Sequence, residues 1–318
     1  MQQHPACLVP LRKSRCVLSE GAMTRSRDSA PHLRGFALYC LLVCVAAQSS
    51  YAAGGEASPA AHPLVELVRG AIENQIKDDQ QPRLFAWKER KNRGQRSQIQ
   101  TIVDTPNGPL SRVTLIDNKP LNPQQRAEED ERVRRMCDPE QMSHRLKSRQ
   151  EDDERTRPLL AVIPDAFDFT YIGSSQAQNG HKFIRLRFAA RPSFEPPTRE
   201  SAVFTGLQGE MVVDETASRL VSIEGTLFKD VTFGWGILGK LYKGGHFLVE
   251  QSEISPSHWE TTHTFVKMEG KALMFKPIHI DENESSWDYQ SVPPMSVAQA
   301  MDFLAHSSQS QQSALRAP

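Results

Sequence analysis

Between residues 167 and 289 the chain is strand and turn almost without interruption, and this pattern narrows the fold further than anything else in it. Ile184, Leu186 and Phe188 alternate with Arg185 and Arg187. A repeat of two puts apolar side chains on one face and cations on the other, as a half-buried sheet requires. Segments 210–214 and 220–228 flank the turn Glu215-Thr216-Ala217-Ser218. Further strands are expected over 247–254, 259–268 and 272–280, joined by Ser255-Pro256-Ser257-His258 and Glu269-Gly270-Lys271. Short strands joined by hairpins predict a large curved antiparallel sheet or barrel. The loop 190–199, with Pro192, Pro196 and Pro197, interrupts the meander and is expected at its rim.

Upstream, Leu64, Val65, Leu67, Val68, Ile72 and Ile76 recur at helical spacing and predict one amphipathic helix ending near Asp78. Three short strands should follow, at 84–87, 97–104 and 110–117, with turns at Asn92-Arg93-Gly94 and Pro106-Asn107-Gly108-Pro109. From 122 to 157 the composition changes to dense charge of both signs. Asn122-Pro123 and Asp138-Pro139 each offer an N-cap followed by a first-turn proline, so this insert reads as two helices. Val133, Met136, Met142 and Leu146 give it only a narrow apolar stripe, the mark of a solvated helical face. Leu159, Leu160, Val162, Ile163 and Phe167 return the chain to the core. The tail, 291–318, is rich in Ser, Gln and Ala and is expected to be largely disordered apart from a short helix over 297–304.

The N-terminus sets the compartment. Arg25, Arg27 and Arg34 precede an apolar run, 36–47, too short to anchor comfortably in a bilayer, and Ser50-Tyr51-Ala52 follows as a cleavage signal. Residues 1–53 are therefore expected to be a secretory signal peptide cut near Ala52 or Ala53. Met23 would start a signal of ordinary length, making the first 22 residues an over-extended start. Neither Cys40 nor Cys44 follows a small residue, which argues against lipid attachment. Of the five cysteines only Cys137 survives cleavage, so the mature protein is expected to lack an intramolecular disulfide. With 38 basic and 38 acidic residues the chain has no net charge to recommend it to nucleic acid. A single domain over 62–290 carries the fold.

The most unusual chemistry lies at 231–247. Gly234, Gly236, Gly239, Gly244 and Gly245 alternate there with Phe233, Trp235, Leu238, Tyr242 and Phe247. Glycines 234, 236 and 239 spell G-x-G-x-x-G, but a dinucleotide site needs a helix to follow, and Gly244-Gly245 leaves room for none. No cofactor is expected. His181, His246, His258, His263 and His279 lie in the strand-rich half without a spacing that gathers metal ligands, so no metal site is expected. There is no G-x-S-x-G elbow. Cys137 sits beside Asp138 and Glu140, which would raise its pKa and blunt it as a nucleophile. Glu250 and Glu260 are candidates to face one another across strands. No catalytic residue emerges, and the chain reads as a non-enzyme. Phe233, Trp235, Leu238, Tyr242, Phe247 and Trp259 are the candidate ligand-binding residues, with the five glycines as loop hinges.

Signal peptide, amphipathic helix, three strands, helical insert and long antiparallel meander, in that order, resemble the periplasmic lipoprotein-sorting carriers of the LolA/LolB type. The stretch Phe233-Gly234-Trp235-Gly236-Ile237-Leu238-Gly239-Lys240-Leu241-Tyr242-Lys243-Gly244 is similar to one in uncharacterised secreted bacterial proteins. The resemblance implies an α+β fold, an unclosed barrel with helices covering its concave face. It also implies a soluble periplasmic or secreted protein that binds a lipid, a lipidated protein or another hydrophobic ligand. Membrane contact would be transient. The alternatives are an envelope interaction or structural module that docks a protein partner, and an unrecognised hydrolase.

Overall fold

The computed structural model describes residues 62–78, 84–234, 238–273 and 275–314. The expected signal peptide lies outside them. The described chain opens with helix α1 (His62–Asp78) and the strands β1 (Phe85–Arg93), β2 (Arg96–Val103), β3 (Leu110–Ile116) and β4 (Lys119–Pro120). Helices α2 (Pro123–Met136) and α3 (Pro139–Ala166) follow, then β5 (Phe167–Gln176), β6 (Lys182–Ala190) and a 3-10 helix (Glu200–Gly206). The remainder is β7 (Leu207–Asp214), β8 (Arg219–Leu227), β9 (Val231–Phe233), β10 (Gly239–Leu241), β11 (His246–Ser255), β12 (His258–Ala272), β13 (Lys276–Ser291) and α4 (Val297–Ala314).

All 13 strands belong to one antiparallel sheet, ordered β4-β3-β2-β1-β13-β12-β11-β8-β7-β6-β5, with β10 pairing both β12 and β9. Its two ends, β4 and β5, do not meet, so the sheet is curved but not closed into a barrel. Bulges at Ala86/Lys88, Ile99/Gln100, Tyr171/Gly173, Val212/Val213 and Glu250/Gln251 bend the strands. The long C-terminal strand β13 joins the two meanders, pairing β12 over its first half and β1 over its second.

Local chemistry explains most element ends. Asn122 and Gln125 form a reciprocal capping box on α2, and the Asp138 carboxylate accepts from the amides of Glu140 and Gln141 at the start of α3. The β7–β8 turn is built on Asp214, which is fully buried and accepts from the amides of Thr216 (2.9 Å) and Ala217 (3.0 Å). Three expectations need correction. The Glu269-Gly270-Lys271 turn does not exist: β12 runs through it to Ala272 and the chain reverses at Leu273, whose φ is +47°. Gly270 is a glycine because β10 lies against it, and a Cβ there would collide with the Lys240 carbonyl. The insert does not end at 157, because α3 continues to Ala166 with Pro158 and Pro164 inside it and carries Leu159 and Ile163 into the core. The helix expected in the tail over 297–304 runs on to Ala314 as α4. Ala300 and Leu304, four apart on α4, are fully buried against β2 and β3.

Two apolar clusters result. The larger joins α1 (Val68, Ala71, Ile72), α3 (Leu159, Ile163) and the 3-10 helix (Val203, Phe204) to one face of β5–β12. The smaller joins α2 (Val133, Met136) and α4 to Ala86, Val103 and Leu110. Helix α2 also seals a sheet edge. Beyond two-residue β4, the Val113 amide donates to Glu129 Oε1 (2.6 Å), and Arg132 Nη2 donates to the Ser111 carbonyl (2.8 Å). Glu129 and Arg132 pair with each other as well, and Arg112 pairs with Asp130. The charge-dense helix is thus more than a solvated face: its inward charges occupy backbone groups that a neighbouring strand would otherwise take.

Candidate functional site

Register places one row of side chains across eight strands on the helix-covered face. It runs Tyr171, Leu186, Met211, Ile223, Val249, Thr264, Glu284, Lys91. Leu186, Met211 and Ile223 are buried and apolar, whereas Thr264 and Glu284 are buried and polar. Polarity therefore changes sharply along a single line. The adjacent row repeats the change: Phe188, Gly209, Gly225, Phe247 and Val266 lead to Glu282. Its two glycines lie directly opposite each other, and a Cβ on Gly225 would run into the Phe247 ring.

The polar end is a bridged carboxylate pair. Lys91 Nζ lies 3.3 Å from Glu89 Oε2 and 3.2 Å from Glu284 Oε1, and Gln100 donates its amide to Glu89. Glu89 is 2% exposed and Glu284 4%. Burial pushes the Glu284 carboxyl up to about 7; Lys91 opposes that and the Glu89 charge adds to it. Burial pulls Lys91 down, yet the two carboxylates outweigh it and hold the ammonium above its ordinary range. Glu284 Oε2 and Thr264 Oγ1 are buried without hydrogen-bond partners. These groups stayed invisible to sequence reasoning because Glu89 and Glu284 are 195 positions apart and only the β1–β13 pairing unites them.

The residues picked from sequence scatter. Phe233 and Phe247 are buried in the larger cluster, as side chains of β9 and β11. Trp259 is buried on β12, next to His258, whose ring stacks on Phe85 with centroids 4.7 Å apart. Leu238 is half-buried against the larger cluster, and Tyr242 is exposed with Lys240 Nζ 5.7 Å from its ring. Trp235 and Gly236 lie outside the described residues. Among the glycines, Gly234 (φ +53°) and Gly244 (φ +94°) use left-handed backbone that suits a turn. Gly239 and Gly245 are not hinges: Gly239 is a paired strand residue, and Gly245 is buried where a Cβ would press on Leu227 and Met268.

Each strand-half histidine meets a carboxylate: His181 with Asp214, His246 with Glu224 (2.9 Å), His258 with Glu260 (2.9 Å), His263 with Glu250 (3.0 Å) and His279 with Glu269 (3.7 Å). The hydrogen bond to Asp214 raises the His181 pKa. Glu250 and Glu260 do not face each other, being opposite His263 and Ser252. Cys137 caps the end of α2. Burial raises its pKa, and the neighbouring charges that act on it, Arg145 and Arg132, pull the other way, so the cause is not Asp138 or Glu140. Among the described residues no group of His, Cys, Asp and Glu could hold a metal ion, and no helix is long and apolar enough to cross a membrane. Compared with known protein families, curated proteins and solved structures, the chain matches none.

Proposed function

We propose that this protein is an envelope binding protein, periplasmic or secreted, that holds a lipid, a lipidated protein or another hydrophobic ligand between its sheet and helices α1 and α3, without chemistry. The observation that carries the reading is the cross-strand row from Leu186 through Met211 and Ile223 to Thr264, Glu284 and Lys91. An apolar line that ends in buried hydrogen-bonding groups fits an amphipathic molecule, with its chain along β6–β11 and its polar end at β12–β1. Burial of apolar area would drive binding, at about 25 cal/mol per Å².

Helices α1 and α3 pack by side chains, with polar links at Arg69–Asp165 (2.9 Å) between them and Arg219–Asp78 (2.8 Å) to β8. Pro158 and Pro164 lack the amide that would tie the last turns of α3 together. The order of elements, similar to that of the lipoprotein-sorting carriers, supports the same reading. So does the Arg-flanked apolar run before Ala52, which speaks for an envelope location.

Native mass spectrometry with lipid extraction, combined with uptake of a fluorescent fatty acid, tests it. Bound acyl ligand is expected, with affinity at least threefold weaker in Val249→Ala, which cuts back a half-buried side chain of the cross-strand row. A clean apo mass with no uptake would sink the carrier and leave the protein-docking module as the better account.

A further inference from the structure

The sheet has a projecting arm. Strand β12 runs five residues past Lys267, its last residue paired with β11 (to His246), which is about 17 Å of extended chain. It turns at Leu273 and returns as β13, while β10 and β9 flank it: Lys240 is opposite Lys271, and the Leu273 amide donates to the Leu238 carbonyl (3.0 Å). At the tip Phe275 is 85% exposed and Leu273 is 49% exposed. Together at one hairpin tip they form a contiguous exposed apolar patch, the kind of feature that marks an interaction surface.

The surrounding charge indicates what that is. Lys229, Lys240, Lys243, Lys271 and Lys276 lie on the arm and its flanking turns, against only Asp230 and Glu269. Asp230 is engaged by Lys240 (2.7 Å), and with Glu269 as the other carboxylate the lysines still outnumber the acids, so the arm carries a net positive charge. Lys271 also sits directly across from Lys240, a like-charge pair that opposes the strand pairing it occupies. Exposed Tyr242 and Phe228 stand beside Lys240 and Lys229, each with the ammonium within 6 Å of the ring. An apolar point ringed by lysines and interfacial aromatics matches the layered chemistry of a bilayer surface: acyl chains below, anionic headgroups at the lysines.

We propose that the β12–β13 tip docks the protein on anionic lipid surfaces, with Phe275 and Leu273 entering the headgroup boundary and Lys271 and Lys276 meeting lipid phosphates. This stands apart from what is bound between the sheet and the helices, and it does not require the carrier reading. The test is flotation of the full chain with vesicles of phosphatidylcholine, with and without about a third phosphatidylglycerol. Binding is expected only to the anionic vesicles and should weaken steeply with salt. Phe275→Ser should lower partitioning about tenfold, and each of Lys271→Glu and Lys276→Glu by roughly fivefold or more. Circular dichroism should be unchanged, since these side chains are outside both cores. Equal binding to neutral vesicles, or variants that bind like the parent, would overturn the proposal. So would a concentration-dependent dimer that Phe275→Ser abolishes, which would assign the tip to self-association.

Discussion

Glu284 holds one oxygen against Lys91 and leaves the other buried with nothing to accept from. Its carboxyl is raised to about 7, so below that pH the folded protein retains a proton that the unfolded chain releases near 4.3. A group raised in this way favours folding at low pH, and the benefit disappears as pH climbs through the folded-state value. Stability should therefore fall between about pH 4.5 and 7 and level off above, by up to about 3 kcal/mol. Glu284→Gln should flatten that slope and melt higher than the parent at pH 8. Thermal melts across the range decide it, and an unaltered slope in the variant would assign the effect elsewhere. At this scale the sequence was least informative. Phe233, Phe247 and Trp259 have the composition of a binding surface, but an aromatic residue on an alternating strand reads identically whether its face meets a groove or a packed helix. The buried charges were hidden for a different reason: Glu89, Gln100 and Lys91 lie on strands that look solvent-facing until β13 is laid beside them.

Elements were far more legible, since caps and periods are local. Asn122-Pro123 and Asp138-Pro139 begin helices as their chemistry requires, and the alternation of Ile184, Leu186 and Phe188 is the buried face of β6. Local chemistry misleads where one residue type serves two purposes. Gly270 has turn chemistry in the sequence but is a mid-strand glycine making room for β10, and the true turn uses Leu273 at positive φ. Helix α4 is legible only over its first half, 297–304, because Ser and Gln dominate the rest, and it is the first half that carries the buried Ala300 and Leu304. Leu304→Ala should cost about 2–5 kcal/mol in chemical denaturation. An unchanged midpoint would mean that α4 adds nothing to the fold despite its burial.

At the scale of the whole molecule, the sheet is a strip with a centre and two ends. Strand β13 has partners on both sides, and its pairing with β12 is longer than any pairing at the ends. Amide exchange should be slowest in β13, β12 and β1 and fastest in β4 and the distal half of β5, whose Ser174, Ser175 and Gln176 are exposed. Uniform protection across the strip would contradict this order. The two ends are finished differently, and helix α2 carries the consequence. Its composition suggests a surface free to drift, yet tolerance to substitution should be divided by position: Glu131 and Arg135, facing outward, can change without effect, whereas Glu129 and Arg132 stand in for the backbone of a missing neighbour. Losing either would leave the β3 edge open to another copy, so variation at those two positions should be seen as turbidity before it is seen as unfolding.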